Sequence, residues 1–113
     1  MIQMEARFVP IADRDALEAL LSRSHERPVL LFKHSNTCPV SARAYQQMQG
    51  VKSPVSIVVV QTSRDLSREV AARTGVPHES PQALVLRNGE AVWSASHFDI
   101  TADAVEQAMR ESE

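Results

Sequence analysis

The chain holds one cysteine, Cys38, in the run Phe32-Lys33-His34-Ser35-Asn36-Thr37-Cys38-Pro39-Val40-Ser41. An apolar stretch precedes it and a helical pattern follows, so the thiol falls at a strand-to-helix junction. The start of a helix carries partial positive charge and unbonded N–H groups. Both favour the thiolate, which is the nucleophilic form. A cysteine at position 41 would complete the C-x-x-C redox pattern. Ser41 stands there instead, so the chain cannot close an internal disulfide. Thiol–disulfide chemistry at Cys38 must be monothiol and must finish with an outside thiol.

Ser41 lies three residues past Cys38, where its hydroxyl can face the sulfur and donate to it. Thr37, Pro39 and Val40 shape the turn and the first helical positions. Lys33 and His34 bring positive charge close in sequence. His34 reads as the completion of a strand end, with a proton-shuttle role as the alternative. His97 reads as structural, and His25 and His78 as exposed. The histidines show no metal-ligand spacing with Cys38, so no metal site is expected. Trp93 reads as core.

The elements that must position this thiol can be traced along the chain. Arg7 to Ile11 suggests a short strand. Asp13 suits the N-cap of a helix running to about His25, with Ala16, Leu17, Leu20, Leu21 and Ser24 on one face. Pro28 ends that region, and Val29 to Lys33 reads as a buried strand. Pro39 fits the first turn of the next helix, which reaches Gln49 before Gly50. Val55 to Val60 is rich in β-branched residues and reads as a central strand. Thr62 or Ser63 caps a third helix that ends at Thr74-Gly75.

Val76 to Pro81 is irregular. Ala83 to Leu86 is a strand, Asn88-Gly89 a hairpin turn, and Ala91 to Trp93 the return strand. Thr101 caps a last helix with Ala102, Val105, Ala108 and Met109 inward. The alternation predicts an α/β fold: a central mixed sheet of four to five strands with helices on both faces. Ligands of such sheets gather at the carboxyl ends of the parallel strands. Cys38 lies just past one of them.

The 113 residues fit one domain, 1–113, with a net charge of −2, and nothing suggests a nucleic-acid surface. No run is long enough to span a bilayer, and Met1 to Arg7 lacks the pattern of a secretory leader. A lone free thiol suits a reducing cytoplasm.

This order resembles the thioredoxin fold. Ser80-Pro81 before a strand strengthens the likeness, because proteins of that fold carry a cis-proline there, beside the active cysteine. Pro81 is the candidate for it and Pro77 the alternative. The Cys38 motif, together with His78-Glu79-Ser80-Pro81-Gln82 and Val92-Trp93-Ser94-Ala95-Ser96-His97-Phe98-Asp99-Ile100-Thr101, resembles the YtxJ family of monothiol bacilliredoxins.

That resemblance implies a thioredoxin-like oxidoreductase that removes bacillithiol from S-bacillithiolated cytoplasmic proteins. Cys38 would be the attacking thiolate, within a motif of Thr37, Pro39, Val40 and Ser41. Ser80 and Pro81 would form the substrate platform, with Ser80 and Gln82 offering hydrogen bonds. Bacillithiol would be the co-substrate, a disulfide reductase a possible partner, and no tightly bound cofactor is implied. Two other readings stay open. One is a glutaredoxin-like module that binds a thiol or an iron–sulfur cluster, which Pro39 disfavours. The other is a non-catalytic adaptor of the same fold.

Overall fold

The computed structural model describes residues 7–113. The stretch Met1 to Ala6, which carries most of the leader reading, lies outside them. In chain order the elements are β1 (Phe8–Pro10), α1 (Arg14–Arg23), β2 (Val29–His34), α2 (Pro39–Gln49), β3 (Val55–Val59), α3 (Arg64–Thr74), β4 (Gln82–Arg87), β5 (Glu90–Ser96) and α4 (Ala102–Glu111), with a 3-10 turn at His97–Asp99. The strands form one sheet in the order β1-β3-β2-β4-β5. Parallel pairing joins β1 to β3 and β3 to β2, and antiparallel pairing joins β2 to β4 and β4 to β5. The mixed sheet expected with four to five strands between helices is therefore present, with five.

Side chains alternate across a strand, and this alternation divides the core in two. Leu30, Phe32, Val55, Ala83 and Val85 pack against Ala44 and Met48 of α2 and Val105, Ala108 and Met109 of α4. Leu31, Val58, Leu84 and Leu86 pack against Leu17, Leu20 and Leu21 of α1 and Leu66 and Val70 of α3.

The helix boundaries follow local chemistry. Asp13 accepts a hydrogen bond from the Ala16 N–H, and Thr101 accepts one from that of Ala104, as N-caps do. Helix α1 stops at Arg23 rather than near His25. Buried Ser24 turns its carbonyl to the Asn88 N–H (2.7 Å), and its Oγ accepts from the Gly89 N–H (2.8 Å). The β4–β5 hairpin thereby fastens the helix end. Ser63 is the N-cap of α3, although its side chain makes no capping bond. Gly75 closes that helix with φ +74°, a left-handed conformation that suits glycine. At Gly50 the cap is right-handed, so glycine is not required there by its backbone angles.

Helix α2 carries the Cys38 turn, and Met48 anchors it in the core with no exposed surface. Met48→Ala should destabilise the protein by about 2–5 kcal/mol, read as a drop in the denaturant midpoint. A loss well under 1 kcal/mol would mean that α2 is held mainly by other contacts.

Candidate active site

The strand directions collect the site at one edge of the sheet. β2 and β3 run parallel and finish there, at His34 and Val59. β4 is antiparallel to β2 and starts there, with Gln82 opposite Lys33. β5 returns to the same edge, with Ser96 opposite Gln82. Four loops meet as a result: the Cys38 turn, the segment after β3, the 76–81 loop and the 3-10 turn.

Cys38 is the N-cap of α2, a partly exposed free thiol, and Pro39 stands at the helix start. Pro39 has no N–H to offer, so the amides of Val40 and Ser41 are the nearest of those a helix cannot bond internally. The Cys38 side chain itself makes no capping hydrogen bond.

The turn before Cys38 is held from two sides. Ser41 is fully buried. Its Oγ accepts from the Ser35 N–H at 2.9 Å and lies 2.8 Å from His34 Nδ1. Burial lowers the His34 pKa and favours neutral imidazole, and the ring tautomer sets which of Ser41 Oγ and His34 Nδ1 donates. The His34 ring lies between Phe32, at 5.6 Å, and Tyr45, at 5.1 Å between centroids. On the other side, Gln61 Nε2 donates to Ser35 Oγ (2.7 Å) and Thr37 Oγ1 (3.0 Å). Gln61 Oε1 accepts from the Asn36 N–H at 3.3 Å. One glutamine thus engages three consecutive residues ahead of the thiol.

The facing wall is the 76–81 loop. The Ser80–Pro81 peptide bond is cis, and buried Pro81 accepts a hydrogen bond from the His97 N–H at 3.1 Å. His97 holds a left-handed φ of 55°, and its Nε2 lies 3.7 Å from Glu79 Oε1. Phe98 follows with 65% of its surface exposed, and the Arg43 guanidinium lies 5.9 Å from the centre of its ring. Ser80 Oγ is buried without a hydrogen-bond partner.

Each expected site residue can now be placed. Cys38, Thr37, Pro39 and Val40 form the turn and first helical positions, as read. The hydroxyl of Ser41 is bonded to His34 and Ser35. His34 completes the strand end. Lys33 is fully buried, and its Nζ lies 3.2 Å from His78 Nδ1, so its charge is engaged by the 76–81 loop. His78 is exposed as a residue, yet its ring reaches back to that lysine. Gln82 corrects the reading that gave it a ligand contact. It is only 2% exposed, and its Nε2 donates inward to the Pro77 carbonyl at 3.1 Å. Strand alternation turns it into the sheet's interior.

Gln61 escaped the sequence reading. Its one signal was its place just past the carboxyl end of a parallel strand, where sites of this architecture form.

A single thiol at a helix start, at the end of the sheet where a cis-proline loop enters, defines a thioredoxin-fold thiol oxidoreductase. A structure described as having a thioredoxin fold is 35% identical to this chain, with a TM-score of 0.85, over 96% of this chain and 98% of the other. Fasciola hepatica thioredoxin shares the fold at 11% identity and a TM-score of 0.72, over 93% of this chain and 99% of its own. So does a thioredoxin mutant from Halobacterium salinarum, at 13% identity and a TM-score of 0.71, over 93% and 89%. The family model of the monothiol bacilliredoxin BrxC matches residues 9–105, and the chain belongs to that family. None of the described helices is long and apolar enough to cross a membrane.

The site predicts an acid-sensitive fold. Burial holds the His34 pKa below its ordinary value of 6.5. The unfolded chain therefore binds more protons as pH falls through that value, and stability drops. His78 acts in the same direction, through burial and then the charge of Lys33. Melting temperature should decline from pH 7 to pH 5. The decline should be shallower in His34→Asn, which keeps a hydrogen-bonding amide beside Ser41 but does not titrate. Equal slopes in the two proteins would remove His34 from this account.

Proposed function

We propose that this protein is a monothiol bacilliredoxin that removes bacillithiol from S-bacillithiolated proteins in the cytoplasm. The observation that carries the reading is the Cys38 site: a partly exposed sulfur at the start of α2, with Ser41 where a resolving cysteine would stand. Family membership supports the choice of bacillithiol.

The chemistry balances in two exchanges. The Cys38 thiolate attacks the bacillithiol sulfur of a protein mixed disulfide. That disulfide breaks, the protein thiolate leaves and takes a proton, and Cys38 is now disulfide-bonded to bacillithiol. A second bacillithiol thiolate then attacks the bacillithiol sulfur of this adduct. Cys38 is released as thiolate, and bacillithiol disulfide departs for reduction elsewhere. Rates follow the thiolate fraction, the leaving-group pKa and access to the sulfur.

The residues around Cys38 have supporting tasks. Gln61 and Ser41 keep the turn in one shape, so the sulfur arrives at a fixed place. Ser80 and Pro81 face it as the platform on which the substrate is laid. The exposed pair Phe98 and Arg43 borders that platform.

The test is the rate at which free thiol appears on an S-bacillithiolated protein in the presence of bacillithiol. Wild type should accelerate it, and Cys38→Ser should show only the background rate. The same substrate carrying glutathione should be turned over more slowly. Equal rates for wild type and Cys38→Ser would overturn the enzymatic reading and favour a non-catalytic adaptor. Faster turnover of the glutathione adduct would overturn the choice of small thiol.

A further inference from the structure

Lys33 is the only charged residue among the described residues that is buried. It follows Phe32 on β2 and, by strand alternation, lies on the same side as Leu31, in the layer covered by α1 and α3. An apolar side chain would fill that place without the penalty of burying an ammonium group, and exchanges of that kind are often neutral or stabilising. Burial pushes the Lys33 pKa down to about 8. The group is an expense to the fold unless its hydrogen bond has a use.

That bond is specific. An ammonium group only donates, so His78 Nδ1, 3.2 Å away, must be the acceptor. His78 is then neutral, with its proton on Nε2. The lowered His78 pKa agrees, its causes being burial and the charge of Lys33, with Glu79 opposing. Directly across the ladder, Gln82 donates to the Pro77 carbonyl, and its own Oε1 is buried without a partner. Two facing positions on β2 and β4 thus grip consecutive residues, Pro77 and His78, of the loop that leads into Pro81.

We propose that Lys33 is a positioning residue: its hydrogen bond to His78 fixes the 76–81 loop, and with it Pro81, against the strand that delivers Cys38. An incoming disulfide then meets the thiol and the loop in one relative geometry. The inference rests on the thiol–disulfide reading above and assigns a use to a lysine that touches no reacting atom.

The test uses Lys33→Met and His78→Leu, which remove the bond, and His78→Asn, whose amide oxygen stands near the Nδ1 position and accepts from Lys33. Two rates are measured for each: disulfide exchange at Cys38, and alkylation of Cys38 by iodoacetamide, which needs no platform. The ratio of exchange to alkylation should fall about tenfold in Lys33→Met and His78→Leu, a modest cost for misplacing one reacting partner. It should recover in His78→Asn, and the Lys33→Met/His78→Leu double variant should be no worse than either single one. A ratio within about twofold of wild type in folded Lys33→Met would overturn the proposal.

Nitrogen-15 NMR of His78 gives a readout independent of turnover. Wild type at neutral pH should show the Nε2–H tautomer with bare Nδ1, and Lys33→Met should lose that preference. Faster amide hydrogen exchange in Lys33→Met at His97, whose N–H bonds the Pro81 carbonyl, should accompany it. A protonated Nδ1 in wild type would contradict the bond itself. Should wild type prove inactive towards disulfides, these NMR results still decide whether Lys33 holds the loop, separately from the failure of the enzymatic reading.

Discussion

The site depends on one topological constraint: β4 enters the sheet antiparallel to β2, immediately beside it. A parallel strand finishes where an antiparallel neighbour begins. The turn after His34 and the loop before Gln82 are therefore forced together, although a whole helix-strand-helix unit separates them in sequence. Their ladder is central and buried on both faces, so neither strand can slip without exposing its core side chains. The relative placement of Cys38 and Pro81 is thus a property of the sheet, and the loops refine it.

That refinement is polar and mostly half-buried. Ser41 ties the first turn of α2 back to the end of β2, through His34 and the Ser35 amide. Gln61 reaches over from the end of β3 to hold Ser35, Asn36 and Thr37. The loop opposite is tied by Lys33, by Gln82 and by the His97 amide. A serine at position 41 has a consequence beyond the missing second sulfur. Its hydroxyl becomes a structural link, so the position is occupied rather than merely vacated. The protein then depends on an outside thiol to complete any cycle begun at Cys38.

Most of the architecture was legible because it is written in short-range patterns. Apolar runs gave β2 and β3, caps gave α1 and α4, and Asn88-Gly89 gave the hairpin. Ser80-Pro81 could be picked out through the resemblance to the thioredoxin fold, which carries a cis-proline before that strand. Side-chain traffic between distant segments was hidden. Nothing near Lys33 in sequence announces that its partner is His78, because the pairing exists only once β4 lies beside β2. Gln82 looked available to a ligand from its position beside Pro81, yet strand alternation turns it inward. Nothing in the sequence around Gln61 marks it, and its role exists only once β3 brings it beside the Cys38 turn. The end of α1 was misjudged for a similar reason: the hairpin that captures Ser24 comes from much later in the chain.

The central claim is that Cys38 itself takes the small thiol and leaves the protein substrate free. The most direct measurement is intact-mass analysis of reduced wild type after a brief reaction with an S-bacillithiolated protein, before any bacillithiol is added. The expected result is one bacillithiol mass on this chain, absent in Cys38→Ser, with the substrate recovered as free thiol. A covalent complex between the two proteins as the main product, or no mass gained on a thiol shown to be reduced, would contradict it.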